Sequence, residues 1–193
     1  METIKFKNKD YEIVKKLTNK KLHVKFKKKD FIIVPFDSLE AFETYLKNKK
    51  VLKKNKVEMA KVLKKDKKAL LILEQYIEGE SLMDIIASNR LDEPCLKELF
   101  RVYRNNRFAQ VLLSYKPENF VKRKKYFYYI SDYVIALKDG IAFERGDDIL
   151  LWLNTHNQKN YITSKGYNYL DRMMLTNDAE IKKKIALVCV SYW

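Results

Sequence analysis

Four short runs, residues 3–7, 11–17, 22–26 and 31–36, are apolar or alternate apolar with polar side chains, and lysine-rich polar turns part them. A period of two puts every second side chain on one face, the pattern of a half-buried strand. The chain is therefore committed early to an antiparallel sheet. LHVKF, KKKD and FIIVPF read as a hairpin with a four-residue loop, its second strand apolar enough to be central. Asp37-Ser38-Leu39-Glu40 then forms a capping box, an acceptor followed by Glu three residues on. Leu39, Phe42 and Leu46 follow it at helical spacing. VEMAKVL (57–63) and ALLILEQYI (69–77) predict another hairpin across KKDK.

Past Gly79 the period changes. SLMDIIASN predicts a short helix, and Asp92-Glu93-Pro94 opens a longer one with an acceptor and a proline in its first turn. Leu96, Leu99, Phe100 and Tyr103 make its buried face. FAQVLL, ENFVKR and YFYYIS are strand-like, while residues 147–155 and 167–190 read as helices. The expected fold class is α+β, with residues 1–78 a β-rich lobe carrying one helix and residues 79–193 a mainly helical lobe. The expected hinge is residues 75–79.

Composition narrows the function classes. With 47% hydrophobic and 13% aromatic residues, the 193-residue chain can bury a core. Only 4 Gly are present, so glycine-built phosphate loops have little material. No run of about 18 apolar residues marks a transmembrane helix, and METIKFKNKDYEIV lacks the apolar core of a signal peptide. Cys95 and Cys189 lie far apart in apolar surroundings and match neither a metal spacing nor a disulfide framework. A reducing cytoplasm is the simplest compartment, with the inner face of a membrane as a peripheral location. The net charge of +15 favours anionic partners: an anionic membrane lipid, a phosphorylated sugar or nucleic acid.

Several motifs together resemble the protein-kinase-like superfamily. ALLILEQYIEGESLMDII resembles the kinase hinge, with Glu74, Gln75 and Tyr76 where that family's backbone binds adenine. KPENFV resembles the catalytic loop; Asn119 falls on its metal-binding Asn, and Lys116 stands as a phosphate-facing cation. Asp132, 13 positions after Asn119, falls on the family's magnesium Asp. Glu43 sits where the family's ion-pairing Glu lies on the first helix, with Glu40 a close competitor. Asp148 follows Asp132 by 16 positions, in a GDDILLWL run that resembles the helix anchoring the catalytic loop. That spacing leaves no room for an activation segment. The economy is similar to small bacterial lipopolysaccharide-core (Kdo/heptose) kinases and to RIO-like atypical kinases. ATP and Mg²⁺ are the ligands this resemblance implies.

The departures are as informative. Leu112-Leu113-Ser114 replaces the family's HRD triplet, so Ser114 stands at the position of the general base and no catalytic residue is assigned. Losing a positioned base costs on the order of 10² to 10⁴ in rate. The glycine loop would fall at LTNKKLHV, where Thr18, Lys20 and His23 replace glycines and keep the backbone from approaching phosphates closely. FIIVPF lacks the ATP-binding Lys, and Asp132-Tyr133-Val134 replaces DFG. The expectation is a pseudokinase: a binding or regulatory module for a protein partner or an anionic surface, with ATP and Mg²⁺ weak or absent. Leu22, His23 and Phe36 are the expected plugs of the nucleotide cleft. Two alternatives stand beside it. One is a divergent phosphotransferase acting on a lipopolysaccharide-core sugar or other small substrate at the inner membrane surface. The other is nucleic-acid binding through the run Tyr126–Tyr129 interleaved with Lys122–Lys125. His23 and His156 lie in different halves with no Cys beside either, which supports neither a zinc site nor a nucleophile pair. Trp152, at helical spacing with Ile149 and Leu153, is expected in the core.

Overall fold

The computed structural model describes residues 2–17, 20–88, 90–132, 134–136 and 155–168. Residues 147–154 and 169–190 of the two late helices lie outside these, as do Thr18, Tyr133, Asp148, Trp152, Cys189 and the His156 side chain. The chain divides into two compact units, residues 1–54 with 59–78, and residues 55–58 with 79–193. Their class is mixed α and β, with antiparallel sheets and a few helices.

The first unit is built on a six-stranded antiparallel sheet. Its strands are β1 (Thr3–Phe6), β2 (Lys9–Lys16), β3 (Leu22–Phe26), β4 (Lys29–Pro35), β6 (Val62–Asp66) and β7 (Leu71–Gln75), in the order β1-β2-β3-β4-β7-β6. Phe26 pairs with Lys29, so the β3–β4 loop has two residues, not the expected four. Lys27 and Lys28 both take positive φ, 49° and 63°. Two left-handed residues in a two-residue loop give the turn whose twist matches the flanking strands. The strands can then pair to the tip, which is why the loop is shorter than its polar run.

Helix α1 (Leu39–Lys54) lies on one face of this sheet, packing Phe42 and Tyr45 against Ile32, Val34 and Ile72. The opposite face curls around Phe6, Tyr11, Val24, Ile33, Leu71 and Leu73. β4 and β7 are thus buried on both faces, which explains their continuous rather than alternating apolar runs. The α1 cap is Ser38, not Asp37: the Ala41 N–H donates to Ser38 Oγ at 3.1 Å. Asp37 instead pairs with Lys20. The expected 57–63 strand also splits. Glu58–Met59 (β5) belongs to a four-stranded sheet, ordered β5, Tyr126–Tyr129 (β11), Phe120–Arg123 (β10) and Glu80–Ser81 (β8), and only Val62 onward pairs with β7.

In the second unit β8 (Glu80–Ser81) leads into α2 (Leu82–Ala87), whose cap is Ser81, accepting from the Asp84 N–H at 3.1 Å. Gly79 has a steric reason to be glycine, since a Cβ there would lie 2.3 Å from the Lys122 carbonyl oxygen. α3 (Glu93–Phe108) buries Leu96, Leu99, Val102 and Tyr103, with Phe100 half-buried, and Asp92 caps it by accepting from the Cys95 N–H at 2.9 Å. β9 (Val111–Leu113) pairs with β12 (Val134–Ala136), and β10 (Phe120–Arg123) with β11 (Tyr126–Tyr129). Tyr115 stacks on Phe120, which packs on Tyr129. α4 (Thr155–Ser164) has a helical period the sequence reading did not assign.

Candidate functional site

Glu74 and Gln75 end β7, the strand between β4 and the edge strand β6 in the first unit, and Tyr76 follows. Along β7, Leu71 and Leu73 face the curled core, whereas Ile72 and Glu74 face α1. Alternation thus carries a carboxylate into an apolar layer, where Glu74 is 2% exposed. Its partner is Lys49 of α1, 3.0 Å from Glu74 Oε1 and 13% exposed. The contact lacks hydrogen-bond alignment with that oxygen and acts as a charge pair. Lys49 also donates to the Ala60 carbonyl and lies 5.3 Å from the centroid of the Tyr45 ring. Lys21, itself nearly buried, lies 5.7 Å from the same centroid.

Gln75 and Tyr76 beside Glu74 are engaged within the same unit. The Gln75 N–H donates to the Lys61 carbonyl at 2.9 Å. Tyr76 stacks on His23 with ring centroids 4.3 Å apart and planes at 9°. His23 Nε2 lies 2.7 Å from Asp30 Oδ1, and since a carboxylate only accepts, Nε2 carries the proton. Phe36 packs edge-on to Phe42 and Tyr45, and Leu22 joins the curled core. Glu43 makes an exposed pair with Lys67, not a buried one with the sheet.

Ser114 and Asn119 are brought together in the second unit. The chain leaves β9 at Ser114 and turns through a 3-10 segment, Pro117–Asn119, into β10. Asn119 Nδ2 donates to Ser114 Oγ at 2.8 Å and to the Ser114 carbonyl at 3.2 Å. The Ser114 N–H in turn donates to the Tyr129 hydroxyl at 3.2 Å. Tyr161 of α4 donates to Glu118, and Lys116 is exposed. The Ile130 N–H donates to the Asn119 carbonyl at 2.9 Å, which places half-buried Asp132 two residues beyond that contact. With its amide nitrogen committed to Ser114, Asn119 has one carbonyl oxygen to offer a cation. Mg²⁺ would need phosphate oxygens to complete its octahedron beside this group and Asp132. Among the described residues, no group of three or more His, Cys, Asp or Glu side chains is placed to hold a metal.

No family model matches this chain, and no curated protein matches it. The site therefore stands on its own geometry.

Two features escaped the sequence reading. Lys49 follows Phe42 by seven positions and Tyr45 by four, on the buried stripe of α1; a lysine at that register is a signal for a buried partner. The other is a polar cluster beside α3. Lys122 Nζ donates to Cys95 Sγ at 3.0 Å. Burial, and then the Asp92 carboxylate, push the Cys95 thiol up, outweighing the pull of Lys122. In the run Tyr126–Tyr129, Phe127 and Tyr129 are buried, Tyr128 is half-buried and only Tyr126 is exposed. Base stacking along the whole run is not available there.

Proposed function

We propose that this chain has a bilobal protein-kinase-like frame, with its hinge at residues 75–79, and acts as a binding or regulatory module rather than by phosphoryl transfer. The observation that carries the reading is the pairing of Ser114 with Asn119. The side chain at the general-base position is a hydroxyl, and the amide at the metal-binding position is hydrogen-bonded to it. Phosphoryl transfer depends on metal and base positioning rather than covalent chemistry by the protein. The two side chains at those positions are here engaged with each other.

The Lys49–Glu74 pair adds support. In a kinase the sheet supplies the cation and the helix the carboxylate. Here α1 supplies the cation and β7 the carboxylate, so the buried ammonium is matched by protein and not by a phosphate.

Thermal unfolding with ATP and Mg²⁺ tests the reading. A ligand at 100 times its Kd stabilises by about 2.7 kcal/mol, and the expected shift is far smaller than that. A large shift that Asp132→Ala abolishes overturns the non-catalytic reading.

A further inference from the structure

The positive charge is unevenly divided. The first unit carries 21 lysines, no arginine and 10 acidic residues, so +11 of the net +15 resides in it. All seven arginines lie between Arg90 and Arg172, in the second unit. A lysine-coding bias acting on the whole chain would have thinned arginine in both units. Arginine suits bidentate recognition of phosphates and base edges, whereas lysine is a compact, strongly hydrated point charge. A surface with lysine alone is built for attraction across water rather than for geometric readout.

The lysines also have a place. The β1–β2 and β3–β4 hairpins are neighbours, joined by β2–β3 pairing in which Glu12 faces Lys25. That register sets their turns side by side at one end of the sheet. Lys7, Lys9, Lys27, Lys28 and Lys29 are all exposed there. Lys9 Nζ and Lys27 Nζ, one from each hairpin, lie 5.1 and 5.7 Å from the centroid of the same Phe26 ring. The acids nearest this end sit farther along the strands: Asp10 faces Lys5, Glu12 faces Lys25, and Asp30 is engaged by His23. Lys7, Lys27 and Lys28 take positive φ, where glycine or asparagine is the sterically favoured choice.

We propose that this lysine-tipped end of the first unit docks on an anionic lipid surface. Nucleic acid fits it less well. Phe26, the ring at the tip, is half-buried and flanked by two ammoniums, so it offers no face for a base, and no guanidinium is present to fork onto phosphate or guanine. A row of exposed ammoniums facing a plane of headgroups needs neither, and each lysine adds attraction within a Debye length of the surface.

Sedimentation with vesicles tests this on the full chain. Phosphatidylglycerol in phosphatidylcholine should bind the protein, pure phosphatidylcholine should not, and added salt should release it. Replacing Lys7, Lys9, Lys27, Lys28 and Lys29 with Gln should lower affinity at least about a hundredfold. Replacing five other exposed lysines, Lys47, Lys50, Lys53, Lys54 and Lys64, removes equal charge and should cost at most about tenfold. Lys27→Asn with Lys28→Gly keeps the turn type and should weaken binding while the protein stays folded by thermal melting. Equal losses from both five-lysine sets would overturn the proposal, as would failure to bind anionic vesicles. Tighter binding to an oligonucleotide than to vesicles, lost in the tip variant, would assign the surface to nucleic acid and overturn it too.

Discussion

Lys49 on α1 and Glu74 on β7 form a buried ion pair, 3.0 Å between Nζ and Oε1, inside the layer that joins helix to sheet. Glu74 is buried and Lys49 largely so, and each offsets the other's charge there.

Glu74→Leu alone leaves an ammonium in an apolar layer and is expected to destabilise by about 3–5 kcal/mol. The double substitution Lys49→Met with Glu74→Leu removes both charges and is expected to recover most of that loss. Urea unfolding of the two single variants and the double variant measures the coupling. Additive losses would show that the pair does not act as a unit.

Asn119 separates a structural role from a metal-binding one. Asn119→Ala removes both bonds to Ser114 and is expected to cost about 1–2 kcal/mol. Asn119→Asp sets a carboxylate against the Ser114 carbonyl and is expected to destabilise at least as much. Were the residue chiefly a metal ligand, Asp would instead leave stability intact and tighten Mn²⁺ binding. Chemical denaturation alongside Mn²⁺ titration distinguishes the two.

Stability should depend on acid through Glu80. Its hydrogen bond with Arg90 holds its carboxyl below the usual carboxylate range. A depressed folded value means the contribution is present above the unfolded value, about 4.3, and disappears as pH falls through the folded one. Arg90→Gln is therefore expected to be less stable than the parent near neutral pH and to converge with it in acid. Both side chains are partly exposed, so the difference is small and shrinks with salt. Thermal melts across a pH series give the comparison.

Cys95 should be unreactive while the protein is folded, because it is buried and its thiol is held protonated. In a Cys189→Ser background, a thiol reagent at mildly alkaline pH is expected to label Cys95 only slowly until denaturant is added. Rapid labelling of the folded protein would contradict the placement of α3 against Lys122.

The β3–β4 turn should be improvable. Lys27→Asn with Lys28→Gly supplies the residues that its left-handed backbone favours. The expected gain is about 1 kcal/mol, read as a raised urea midpoint.

How much of this was legible beforehand depends on whether neighbours in sequence or neighbours in space decide each feature. The strands, α1 and the start of α3 follow from local period and capping, as Phe42 with Leu46 and Asp92 with Pro94 illustrate, though Leu39 at the same spacing is exposed. The polar run predicts a four-residue loop, and the loop is two because Lys27 and Lys28 turn left-handed and let the strands pair to the tip. The cap moved from Asp37 to Ser38 because either side chain satisfies the same pattern and only backbone placement chooses between them.

At the candidate site the same division holds. The sequence sets Ser114 and Asn119 around one turn, and the kinase resemblance adds Asp132 as an expectation, 13 positions on. The sequence also puts a hydroxyl, Ser114, five positions before Asn119. Only the tertiary structure decided that Asn119 turns its amide onto Ser114, and that Glu74 finds its counter-charge on Lys49, 25 positions earlier. The physical reason is that burial is a property of layers. A period along the chain tells which side chains share a face, but what covers that face, and so which charges must pair, is settled when helix and sheet meet.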